Sequence, residues 1–215
     1  MTRRGPGALA ARRLYLCTPD RPDLEEFVAE CIAGGVDIVQ LRDKVLEARP
    51  LIERARLIAR LCADADVPFI LNDRPDLAVE VDADGVHVGQ DDAPASLARR
   101  IVGGERIVGL STHRPEELAA SAAEPVDYIS AGPVVPTPTK PGRIGTGVDY
   151  VAAAAKQSEL PFFVTGGVTP EAVPALVRAG ARRFVVVRYL TESREPRRAA
   201  RRLVEAIDAS VQTQT

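Results

Sequence analysis

A single-domain α/β chain folded as a (β/α)8 TIM barrel is what the sequence predicts, on three observations. Short β-branched runs alternate with amphipathic stretches along the chain, which implies parallel strands joined by right-handed crossovers. Eight such runs fit within 215 residues, more than a flavodoxin-like or Rossmann sheet usually carries. A weak internal repeat, a turn residue and often an aspartate ahead of an apolar strand, recurs in GGVDIVQ, DADGVHVG, EPVDYISAG and AGARRFVVV.

In chain order, MTRRGPGALAARR carries charge but no apolar stretch adequate for a signal peptide, and residues 1–12 are expected to form a frayed tail. The barrel is expected over 13–210, with a second frayed tail at 211–215. Its strands read RLYLC, VDIVQL, PFILN, DGVHVG, RIVGLS, VDYISAG, PFFVTG and RFVVV. The clearest helix is 48–63, where Leu51, Ala55, Ile58 and Cys62 share one face while Glu53, Arg56 and Arg60 sit on another. After the seventh strand, Thr169, Pro170 and Glu171 suit a helix start. Pro174 follows too soon for an undisturbed helix, so that helix begins later or kinks there. The last helix, rich in Arg and Ala, suits either covering the barrel or joining a partner, which leaves a homo-oligomer open.

The composition narrows the function classes. A formal net charge of -2 offers no broad basic field for nucleic acid. No apolar run approaches the roughly 20 residues that span a bilayer, so no membrane partner is expected. Cys17, Cys31 and Cys62 are scattered without metal-ligand spacing, and reduced thiols in a cytoplasmic protein are the default. With His87 and His113 the only histidines, a His-rich zinc site is unavailable. No GxSxG, GxxxxGK[ST] or GxGxxG is present, so Ser111 near His113 is poor support for a serine hydrolase. His87 lies inside an apolar strand and reads as a packed core histidine.

Polar residues gather where strands end, and in a barrel those positions share one rim. Gln40, Arg42, Asp43 and Lys44 close the second strand, Asn72, Asp73 and Arg74 the third, and Gln90, Asp91 and Asp92 the fourth. Ser111 and His113 close the fifth, the stretch 133–147 the sixth, and Gly166-Gly167 the seventh. Any one of these suits a helix cap or a turn, but together they point to an active site. Asp73 and Asp92 follow adjacent strands, and two carboxylates with water and phosphate oxygens suit octahedral Mg²⁺. The bland alternative is a pair of N-caps, and Asp91 rivals Asp92 on spacing alone. Arg42, Lys44 and Lys140 would neutralise a diphosphate, while Thr137 and Thr139 offer hydroxyls to a phosphate. Gly166-Gly167 and Val187-Arg188 fall in the corner where barrels commonly grip phosphate.

Taken together, QLRDK (40–44), NDRPDLAVEVDADGVHVGQDD (72–92), STH (111–113), GPVVPTPTKPG (132–142) and TGGV (165–168) resemble the thiamine phosphate synthase family from about residue 13 to 190. The resemblance implies that Gln40, Arg42, Lys44 and Asn72 hold the substrate 4-amino-2-methyl-5-(diphosphooxymethyl)pyrimidine. Leu41 and Asp43 of the same run count among the substrate-binding residues. It implies Asp73 and Asp92 as ligands of the cofactor Mg²⁺, with Asp92 preferred to Asp91. It assigns catalysis to Ser111 and Lys140, at the pyrimidine or its departing diphosphate, together with Arg42 and Lys44. Thr137, Thr139 and Gly167 would hold the thiazole phosphate with Val187 and Arg188. Arg188 departs from the pattern, which often has a small hydroxyl residue there. Two other readings share the fold: a thiazole tautomerase-like isomerase, and a non-catalytic regulator that binds thiamine phosphate.

Overall fold

The structure, a computed structural model, describes residues 5–137 and 144–213. Strands β1 (Leu14–Thr18), β2 (Ile38–Leu41), β3 (Phe69–Asn72), β4 (Gly85–Val88), β5 (Ile107–Thr112), β6 (Tyr128–Ala131), β7 (Phe162–Thr165) and β8 (Phe184–Val186) pair in sequence order. Every pairing is parallel, and β8 returns to β1 to close the barrel. Around it lie α1 (Leu24–Ala33), α2 (Ala48–Asp64), α3 (Pro75–Glu80), α4 (Ala95–Val102), α5 (Pro115–Ala120), α6 (Gly147–Gln157), α7 (Val173–Arg178), α8 (Arg188–Thr191) and α9 (Pro196–Gln212).

The repeated aspartate has a structural cause. Asp37, just before β2, accepts the backbone N–H groups of Arg13 and Leu14 at 2.8 Å each. Asp84, just before β4, accepts from Phe69 at 2.9 Å, and Asp127, just before β6, from Val108 at 2.7 Å. In these three repeats the aspartate before an even-numbered strand ties down the start of its odd-numbered predecessor, satisfying donors at that end of the barrel. The fourth repeat has Arg183 in place of the aspartate, and its backbone carbonyl takes the Val164 N–H.

Alternation along the strands divides the apolar residues into two groups. One packs between barrel and helices, where α2 buries Leu51, Ala55, Ile58 and Cys62 as its periodicity predicts. The other fills the barrel: Tyr15, Ile38, Ile70, Ile107, Tyr128, Phe163 and Val185. Towards the C-terminal strand ends the inward positions turn polar, from Ile38 to Gln40, Ile70 to Asn72, Ile107 to Ser111 and Tyr128 to Ser130. One end of the interior is therefore sealed and the other lined for chemistry.

Residues 6–11 depart from the expected frayed tail. Pro6–Ala11 forms a 3-10 turn, and Leu9, 1% exposed, packs with the residues filling the barrel interior. A single leucine among small and charged neighbours carries no periodicity, which is why the contact is invisible in the sequence. At the other end α9 runs on to Gln212. It buries Ala199, Ala200, Leu203 and Ile207 and packs on α1 and α7, so this helix covers the barrel. The conflict around Pro174 resolves by a late start: α7 begins at Val173, placing Pro174 in the first turn, where no backbone N–H is needed. Among the described residues no helix is long and apolar enough to cross a membrane.

Candidate active site

The polar strand ends open into a cavity of about 340 Å³. Its walls include Gln40, Arg42 and Lys44 from β2 and the loop after it, Asn72 and Asp73 from β3, and Asp92 after β4. Ser111, Thr137, Gly167, Val187 and Arg188 complete the expected residues found there. Thr139 and Lys140 lie outside the described residues, as do residues 1–4 and 214–215.

Two expected substrate residues do not bring their side chains to this cavity. Leu41 is 1% exposed and packs in the layer between barrel and helices, because alternation along β2 turns it away from Gln40. The Asp43 carboxylate instead holds its own loop, accepting the N–H groups of Val45 at 2.8 Å and Leu46 at 2.7 Å. Burial opposes its charge, but these backbone donors outweigh it and lower its pKa. Asp43 thereby shapes the turn that carries Lys44.

Lys44 lies between two carboxylates from neighbouring strand ends. Its Nζ is 2.7 Å from Asp73 and 3.5 Å from Asp92. Asp73 reaches this position through a left-handed backbone conformation, φ 62°, which Asp tolerates better than most residues. Asp92 is braced from below, where its Oδ2 accepts the Gly89 N–H at 2.9 Å. Of the two rival residues, Asp92 lines the cavity and Asp91 is exposed outside it.

The two acids are driven apart electrostatically. Burial and the adjacent Asp92 raise the Asp73 pKa. For Asp92, burial is outweighed by hydrogen bonding with Asp73 and Gly89 and by the Lys44 charge, and its pKa falls. The same carboxylates overcome the burial of Lys44 and raise its pKa. Among the described residues no group of three or more His, Cys, Asp and Glu is gathered for a metal. A cation here would draw its remaining ligands from water and substrate oxygens, the usual arrangement for Mg²⁺ with phosphates.

Further in, the Asn72 side chain is almost fully buried and its Nδ2 has no hydrogen-bond partner among the described residues. An unsatisfied buried amide costs about 1–3 kcal/mol, and at a cavity wall it can donate to an acceptor on a ligand. Ser111 lies two strands further round, on β5, its Oγ 2.9 Å from His87 Nε2. Across the cavity, Gly166 and Gly167 turn the chain with φ of 88° and 76°, conformations that a side chain resists. This brings the turn against Pro133, Val134 and Val135 of the loop after β6, on a cavity that Val187 and Arg188 also line.

Residues 14–190 match the family model described as thiamine monophosphate synthase. The chain belongs to this family. It is 46% identical over 215 aligned residues to the thiamine-phosphate synthase of Mycolicibacterium vanbaalenii, covering 94% of this chain and 97% of the relative. It is 44% identical to that of Mycobacterium tuberculosis over 216 residues, again 94% of this chain and 97% of the relative. The solved thiamine phosphate pyrophosphorylase of Pyrococcus furiosus superposes with a TM-score of 0.85 at 27% identity, covering 93% of this chain and 96% of that one. The barrel fold is therefore shared with a solved member of the family. Tyr15, Tyr128, Ser130 and His87 also line or underlie the site, although sequence reading assigned them no role there. Their alternation with outward-facing residues was the available signal.

Proposed function

We propose that the protein is a transferase that joins the hydroxymethylpyrimidine diphosphate to the thiazole phosphate, giving thiamine phosphate and diphosphate. The observation that carries the reading is the Asp73–Lys44–Asp92 cluster at the mouth of a cavity whose far wall is a glycine turn beside Arg188. One end suits a metal-bound diphosphate and the other a phosphate monoester.

The reaction breaks the bond from the pyrimidine CH₂ carbon to the diphosphate oxygen, which leaves with the bonding electrons. The thiazole nitrogen lone pair then forms the new C–N bond, and no protein nucleophile or net proton transfer is required. Electron donation from the pyrimidine amino group stabilises positive charge at the CH₂ carbon, so the displacement is dissociative. Asp73 and Asp92 suit Mg²⁺, which would neutralise the leaving diphosphate. Arg42 and Lys44 add fixed positive charge beside the diphosphate. Gln40, Asn72 and Ser111 orient the pyrimidine, with the Asn72 amide, which has no partner among the described residues, donating to it. Thr137, Gly167, Val187 and Arg188 hold the thiazole phosphate so that its nitrogen faces the same carbon. Thr139 and Lys140 are assigned by sequence to the thiazole phosphate and the leaving diphosphate.

Purified protein given both substrates and Mg²⁺ should form thiamine phosphate, and omission of either substrate or addition of EDTA should stop it. No product from folded protein would favour the isomerase or the binding protein. A covalent adduct between protein and pyrimidine on the reaction path would overturn the mechanism.

A further inference from the structure

A buried chain of hydrogen bonds crosses the barrel beneath the cavity. The Cys17 thiol donates to Gln40 Oε1 at 3.2 Å, and Gln40 Nε2 donates to the Tyr15 hydroxyl at 2.7 Å. The Tyr15 and Tyr128 oxygens are 2.9 Å apart, and the Tyr128 oxygen is 3.0 Å from His87 Nδ1. His87 Nε2 then lies 2.9 Å from Ser111 Oγ. Tyr15 and Tyr128 are 1% and 0% exposed. Burial, the largest cause for each, raises both phenol pKa values, so both keep their hydrogens.

Counting hydrogens gives the chain a direction. Tyr15 receives the Gln40 N–H, so its own hydrogen goes to Tyr128. Tyr128 receives that bond and passes its hydrogen to His87 Nδ1. Nδ1 is then an acceptor without a proton, and the neutral ring carries its hydrogen on Nε2, facing Ser111. The Ser130 hydroxyl also donates to Ser111 Oγ, at 3.4 Å. With its oxygen accepting from both neighbours, Ser111 has its hydrogen left for the cavity.

Gly109 makes this arrangement possible. It pairs with His87 on one side and Tyr128 on the other. A Cβ there would collide with the Tyr128 ring carbons and hydroxyl. Without it the ring lies across β5 and stacks on His87, centroids 5.5 Å apart and planes at 30°.

We propose that His87 is a positioning residue, held as the Nε2–H tautomer by Tyr15 and Tyr128, which presents Ser111 to the pyrimidine diphosphate as a hydrogen-bond donor. This rests on the reading that Ser111 meets that substrate. Reversing the Gln40 amide would reverse every bond in the chain and put the hydrogen on Nδ1, so the tautomer reports the direction.

Long-range ¹H–¹⁵N spectra of the ¹⁵N-histidine-labelled protein at neutral pH, with His87 assigned by its loss in His87→Gln, should show Nδ1 unprotonated and Nε2 protonated. A proton on Nδ1 overturns the proposal. In steady-state assays His87→Phe should lower kcat by about tenfold, the worth of one hydrogen bond, with both KM values little changed. His87→Gln, which keeps an N–H near the Nε2 position, should restore most of that loss. Equal kcat for His87→Phe and the parent, or equal loss in both variants, overturns it. Should His87→Phe fail to fold, the parent's tautomer decides. An inactive parent protein sinks the proposed reaction, and the tautomer still decides the direction of the chain.

Discussion

Replacing Asp92 by Asn separates a metal ligand from a structural cap. Within the fold the carboxylate accepts the Gly89 N–H at 2.9 Å and faces Lys44 at 3.5 Å. The amide oxygen of Asn preserves the first contact. The second is an ion pair with a Lys44 side chain 47% exposed, worth only about 0.2–1 kcal/mol in water. Stability should therefore fall by no more than about 1 kcal/mol, a melting shift of roughly 2–4 °C for a domain of this size. Losing one preorganised electrostatic partner of a leaving group costs about 2.7–4 kcal/mol in the transition state. That corresponds to about 100- to 1000-fold in turnover. Urea denaturation beside turnover measured across a Mg²⁺ titration reads both quantities. The expected result is a nearly unchanged unfolding midpoint, a deep loss of rate and a raised Mg²⁺ requirement. An unchanged Mg²⁺ response, or rate and stability falling in step, would refute the ligand role.

Arg188→Ser should raise KM for the thiazole phosphate several-fold or more and leave KM for the pyrimidine diphosphate alone, since a charge-assisted contact to phosphate contributes about 1.5–3 kcal/mol; equal effects on both substrates would place Arg188 elsewhere. Asp73→Asn should abolish turnover while leaving the protein as stable as the parent or more so at pH 7. The raised Asp73 pKa means that ionisation in the folded state opposes folding. That penalty is full above the raised folded value and disappears below the ordinary unfolded value near ~3.9, so denaturation midpoints of the two proteins should converge as pH falls. Leu9→Ala should destabilise the fold by about 2–5 kcal/mol with little change in KM, since it empties a buried position that does not line the cavity; an unchanged denaturation midpoint would show that the 3-10 turn closes nothing.

The barrel was legible because its signals are local. Each strand is a short apolar run, the 48–63 stretch keeps helical spacing, and the aspartate ahead of even strands recurs in the sequence. The rim residues were legible for the same reason, since a strand end is where an apolar run stops. Leu41 and Asp43 were drawn into the expected set by their neighbours in QLRDK, although alternation turns one outward and the other serves its own turn. The Tyr15–Tyr128–His87 chain stayed hidden because its members come from β1, β6 and β4, and each alone reads as a core residue. Contacts across a closed barrel depend on register between distant strands, which spacing along one chain does not encode.

A crystal structure of the protein with thiamine phosphate, diphosphate and Mg²⁺ tests the central claim most directly. The diphosphate should lie against Arg42 and Lys44, with the metal bound by Asp73 and Asp92 and the thiamine phosphate group beside Gly167 and Arg188. A metal away from both carboxylates, or the phosphate group outside the Gly167–Arg188 corner, would contradict the account.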